Sequence, residues 1–124
     1  REALTRRLLP HDDPNFGLDP YWVRAYPYQQ LAAPGGDVAL EARITNHDTK
    51  PRTIRAELRV PKGWKILEGA GVTTIAARGE GHVRFRAVAP TGLTASRHVL
   101  GILITANGQS WGEMAESIVD LPVE

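Results

Sequence analysis

The chain has 124 residues, 42% of them apolar and 23% charged, and its 15 Lys and Arg against 14 Asp and Glu leave a formal net charge of +1. That length supports one domain with a substantial core and is too short for a second. The near-zero charge excludes a general affinity for polyanions, so neither nucleic acid nor an anionic membrane surface is an expected partner. No window approaches the roughly eighteen uninterrupted apolar residues that a bilayer span needs. Cysteine is absent, which excludes disulfides and thiol chemistry and removes the soft ligands that structural zinc prefers.

The first twenty residues differ from the rest. Arg1–Leu9 carries enough helix formers for one or two turns but lacks the apolar core of a signal peptide, and there is no initiator Met, so an excised piece of a longer protein is expected. Pro10, Pro14 and Pro20 punctuate a run of Asp, Asn and Gly that reads as an irregular linker. The expected division is a lead-in over 1–20 and a sandwich over 21–124. From Tyr21 the texture is aromatic and extended, and Pro27, lacking a ladder donor, confines this first strand to a sheet edge.

After Pro34-Gly35-Gly36 the apolar period is two. Val38, Leu40, Ala42 and Ile44 alternate with polar residues, and so do Ile54, Ala56, Leu58 and Val60, and again Val83, Phe85 and Ala87. Strands are expected at 37–46, 53–60, 64–67, 72–77, 81–89, 97–106 and 111–120, with a Gly, Pro or Asn signal between each pair. Asn107-Gly108 is a strong hairpin signal, because a type I′ turn demands positive φ at both residues. The fold class is all-β, an antiparallel immunoglobulin-like sandwich of seven to eight strands. Its core should include Val38, Leu40, Ile44, Leu58, Val60, Ile75, Val83, Phe85, Ile102, Ile104 and Val119.

Pro34-Gly-Gly-Asp37, the strand ending at Thr45-Asn46, Val60-Pro-Lys-Gly-Trp64, and the Gly-rich turn before Val83–Pro90 resemble the immunoglobulin-like or fibronectin type III-like modules appended to bacterial hydrolases. The resemblance covers about residues 34–120, and its motifs mark a fold. The lead-in from Asp19-Pro-Tyr-Trp22 to Tyr26-Pro-Tyr28 is similar to the segment joining some metallo-β-lactamase-fold hydrolases to a C-terminal sandwich. The resemblance implies a non-catalytic accessory domain whose partner is an adjoining catalytic domain of the same chain, with the catalytic metal residues outside this sequence and no cofactor here.

The residues that carry chemistry are sparse. Asp12, Asp13, Asn15 and Asp19 beside His11 have the oxygen ligands a hard cation wants, but without EF-hand order they read first as turn residues. His11, His47, His82 and His98 form no spaced pair. Ser96, Ser110 and Ser117 lack a nucleophile elbow, and Glu113 with Glu116 lacks a cleft to hold a sugar. Arg43, Arg55, Arg59, Arg84 and Arg86 are expected on an outward face, as a cross-strand ion-pair lattice that discourages edge pairing. Trp64 and Trp111 are expected in core or corner packing; exposed together, they would make a carbohydrate-binding surface, the alternative reading.

The segment 10–28 holds the sharpest expectation. A solvated linker has no use for Phe16, Leu18, Tyr21, Trp22, Tyr26 and Tyr28, since each exposed aromatic forgoes roughly 1.5–3 kcal/mol of burial. Phe16 and Trp22 are therefore expected at an interdomain contact, with Tyr26 and Tyr28 belonging to the sandwich. An isolated fragment would offer the uncovered surface for self-association.

Overall fold

The structure, a computed structural model, describes residues 22–91, 96–106 and 108–121. Its strands are β1 (Val23–Tyr26), β2 (Gln29–Leu31), β3 (Asp37–Thr45), β4 (Arg52–Arg59), β5 (Lys65–Glu68), β6 (Ala70–Ile75), β7 (Glu80–Val88), β8 (Ser96–Ala106) and β9 (Gln109–Leu121). They form a four-stranded sheet in the order β1-β3-β7-β5 and a five-stranded sheet in the order β2-β9-β8-β4-β6. The fold is an immunoglobulin-like sandwich, and there is no helix among the described residues.

Alternation builds the core. Val38, Leu40, Ala42 and Ile44 of β3 and Val83, Phe85 and Ala87 of β7 point inward from one sheet. Ile54, Ala56 and Leu58 of β4 meet them from the other, with Leu100, Ile102, Ile104 and Ala106 of β8. The period of two gives each strand one buried and one wet face, which is what an antiparallel sandwich requires. Every expected core residue is buried except Val60, which follows β4 and packs half-buried against the cluster.

The β8–β9 hairpin forms as expected, with Ala106 opposite Gln109 and Gly108 at φ 73°. Asn107 lies outside the described residues. The β3–β4 corner carries the chain from one sheet to the other and turns on Asn46, a fully buried polar side chain. Its amide nitrogen donates to the carbonyls of Lys50, Ile75 and Ala76 at 2.9–3.2 Å, and its carbonyl accepts from the Asp48 amide at 3.0 Å. A buried amide is stable only when its groups are satisfied in this way.

Nine strands are present among the described residues where seven to eight were expected, and the added one is β2. The aromatic lead-in strand ends at Tyr26, passes a cis Tyr26–Pro27 peptide, and continues as β2 in the opposite sheet, parallel to β9. The Ile118 amide donates to the Tyr28 carbonyl at 2.8 Å and the Ala32 amide to the Asp120 carbonyl at 3.1 Å. On the far side of the sandwich the chain makes the same change of sheet from β5 to β6 across Gly69 alone.

Candidate functional site

The β1–β2 side gathers the residues singled out from the sequence. Pairing of Val23 with Ile44, and the Thr45 amide donating to the Trp22 carbonyl at 2.8 Å, fix Trp22 at the end of the core. Its indole packs edge-on against that of Trp111, ring centroids 5.2 Å apart, and is 0% exposed. Trp22 was expected at an interdomain contact; in this chain its side chain is buried in the core cluster. Phe16 lies outside the described residues, as do His11, Asp12, Asp13, Asn15, Asp19, Leu18 and Tyr21.

Two other aromatics of the segment belong to the sandwich and stay exposed. Tyr26 holds the Arg43 guanidinium over its ring, 3.7 Å from the centroid. Tyr28, between β1 and β2, is 66% exposed, and Leu31 on β2 is 79% exposed. The corner beneath them is anchored by Ser117, whose buried hydroxyl donates to the Pro27 carbonyl at 2.7 Å. Asp120 of β9 accepts from Gln29 at 2.7 Å and from Arg97 at 2.8 Å. The Arg97 hydrogen bond first, and then that of Gln29, hold the Asp120 carboxyl below the usual carboxylate range.

The outer face of the four-stranded sheet is an ion-pair lattice. Glu41 accepts from Arg43 at 2.8 Å and stands 3.9 Å from Arg84 across the β3–β7 register. Arg86 pairs with Asp37 at 2.9 Å and Glu68 at 3.4 Å, and Arg24 with Glu80 at 2.8 Å. The hydrogen bond from Arg43 is the main reason the Glu41 carboxyl titrates below its ordinary range. The five arginines do not share one surface, however. Arg43, Arg84 and Arg86 stand on this sheet, whereas Arg55 and Arg59 stand on β4 in the other, because the Asn46 corner sends the chain across.

A hollow of about 370 Å³ opens on the same face between Tyr26, Pro27, Leu40, Glu68, Arg84 and Arg86. Its aromatic ring already carries a guanidinium, and Trp64 and Trp111 are both buried, as core or corner packing predicts. Trp64 donates to Nδ1 of His98 at 3.3 Å, and Nε2 of His98 lies 2.9 Å from the Ser96 hydroxyl. An accepting Nδ1 puts the proton of a neutral ring on Nε2. His98 is thereby a packing partner of Trp64, a role its position at the start of a strand did not signal.

The remaining candidates are dispersed. His82 sits on the outer lattice, 3.3 Å from Glu80, and His47 sits in the Asn46 corner. Ser110 is exposed near the β8–β9 turn, while Ser117 is buried. Glu113 is ion-paired with Arg59 of β4. That bridge passes directly over Gly101 of β8, where a Cβ would meet the Glu113 carboxylate and displace the far end of that flexible side chain. Among the described residues no group of three or more His, Asp or Glu is placed to hold a metal ion.

No family model matches the chain, and no curated protein does. Solved structures match it in fold. Native alpha-2-macroglobulin of E. coli aligns over 81% of this chain with a TM-score of 0.63 and 14% identity, and the chain spans only 6% of that protein. The CARDB domain of the PF1109 protein from Pyrococcus furiosus, solved in complex with di-metal ions, aligns over 80% of this chain and 84% of its own length, with a TM-score of 0.55 and 10% identity. A family 123 glycoside hydrolase from Clostridium perfringens aligns over 78% of this chain and 23% of its own, with a TM-score of 0.50 and 10% identity. At such identities the likeness is one of architecture, and it makes this chain a β-sandwich of the kind that recurs within larger proteins.

Proposed function

We propose that this chain is a non-catalytic accessory domain of a larger bacterial hydrolase, and that it braces or orients the adjoining catalytic domain through its β1–β2 side. The observation that carries the reading is the pair of exposed apolar side chains there, Tyr28 and Leu31, on a corner held rigid by Trp22 and Ser117. Covering a side chain such as Leu31 is worth about 1.5–3 kcal/mol, and a surface already rigid loses little entropy on docking. In sequence, the lead-in that holds Phe16 runs directly into Trp22. Similarity of that lead-in to metallo-β-lactamase-fold hydrolases favours such an enzyme as the neighbour. The occurrence of the same architecture as 6% and 23% of two larger chains supports a modular role.

The test compares the full-length protein with variants carrying Phe16→Ala and Leu31→Ser. Bracing predicts that the adjoining domain unfolds several degrees earlier and loses activity in both, while the strand signal in circular dichroism is kept. If its thermal transition and its activity are the same as in the parent protein, the bracing role is wrong.

A further inference from the structure

Among the described residues the sandwich has four edge strands, and three of them are protected. β1 carries Arg24 and runs into Pro27; β2 has three residues; β5 begins and ends with the charged Lys65 and Glu68 and slips register between Ile66 and Glu68. Charges, prolines, irregularities and shortness are the ordinary defences of a sheet edge. β6 has none. Its six residues, Ala70-Gly-Val-Thr-Thr-Ile75, include no charge and no proline, keep an unbroken register with β4, and are rich in β-formers. Val72 at its centre is 60% exposed.

The hydrogen bonding of this edge follows from the register. The Leu58 amide donates to the Gly69 carbonyl at 2.8 Å, and the same register pairs Ala56 with Gly71, Ile54 with Thr73 and Arg52 with Ile75. Hydrogen-bonded and non-bonded pairs alternate in an antiparallel ladder, so the odd-numbered residues of β6 bond to β4. The amides and carbonyls of Ala70, Val72 and Thr74 therefore point away from the sheet, and no strand among the described residues pairs with them.

We propose that β6 pairs with β6 of a second copy of this chain, antiparallel about a two-fold axis through Val72, joining the two five-stranded sheets into one. The register is self-complementary: Val72 faces its own counterpart, and Ala70 faces Thr74 in both directions. All three outward-pointing residues then fall in hydrogen-bonded pairs, each closed by two N–H···O bonds, and the interface closes on itself so that it ends at two copies. No like charges oppose each other along the strand. The half-exposed Ile66 and Leu67 of β5 flank the same side and add apolar surface beside the seam. The bracing role uses the opposite side, and either proposal can fail without the other.

Sedimentation equilibrium of the chain over a wide concentration range is the test. The expected result is a reversible dimer. Val72→Lys places like charges face to face, and Val72→Pro removes an edge amide that β4 does not use; each should raise the dimer dissociation constant by at least about tenfold. Both should keep the parent's circular dichroism, and if Val72→Pro does not fold then Val72→Lys decides alone. Leu31→Lys, on the other side, should leave the dimer intact. A chain that stays monomeric at millimolar concentration, a dimer indifferent to the Val72 variants, or one abolished by Leu31→Lys would overturn the proposal.

Discussion

The two long sides of this sandwich are made by the same manoeuvre and finished by different means. On each, the chain leaves the four-stranded sheet and joins the edge of the five-stranded one. The β1–β2 side does so over Pro27 and Tyr28, with side chains fastening it: Trp22 in the core, Ser117 on the Pro27 carbonyl, and Asp120 between Gln29 and Arg97. The β5–β6 side does so across Gly69 and relies on backbone pairing and close approach, with Gly71 lying against Val83. A side held by side chains can display exposed aromatics without losing its shape. A side held by backbone keeps a bare ladder edge instead.

The largest effect that would break this comparison is at the fastened side. Trp22→Ala empties a fully buried indole site and should destabilise the fold by about 3–5 kcal/mol in chemical denaturation, with a normal denaturant slope. A loss below about 1 kcal/mol would show that β1 is not fastened through its tryptophan. On the other side Gly71→Ala is the sharper probe. A Cβ there would lie 2.8 Å from Cγ1 of the stiff, core-packed Val83, so a cost of about 1–3 kcal/mol is expected in the same measurement.

The smallest effect is a titration. The folded Asp120 carboxyl is held below its ordinary range, so its contribution to stability is complete above that range and fades as pH falls through the lowered folded value. Thermal midpoints should therefore decline below about pH 4, and Asp120→Asn should make that decline shallower. An unchanged acid slope would remove Asp120 from the fastening of β2 to β9.

Much of this fold was legible in the sequence. Period-two runs at Val38–Ile44, Ile54–Leu58 and Val83–Ala87 placed strands within a residue or two, because side-chain alternation is a local property that burial enforces. What alternation does not encode is which sheet a strand joins. Five arginines read as one outward row are two groups on opposite faces, since β3 and β4 are successive in sequence and lie in different sheets. β2 escaped notice because three residues with exposed ends carry no periodic signal, and its parallel partner lies at the far end of the chain. A cluster of aromatics does not say which of them turns inward; for Trp22 the β1–β3 register decides it. The partnership of Trp64 with His98 likewise depends on contact across a long sequence separation.

The parallel β2–β9 pairing has a mechanical consequence. The first described residue, Trp22, stands beside Thr45, and the last, Leu121, stands at the other end beside Ser96, so the two are separated by the length of β8, roughly 35 Å at strand spacing. Tension applied at those two points draws β2 one way along its axis and β9 the other. The Tyr28–Ile118 and Ala32–Asp120 hydrogen bonds are then loaded side by side in shear and must yield together, whereas a ladder pulled open from one end yields bond by bond. A domain strung in line with its neighbours through these ends would transmit force as a stiff strut.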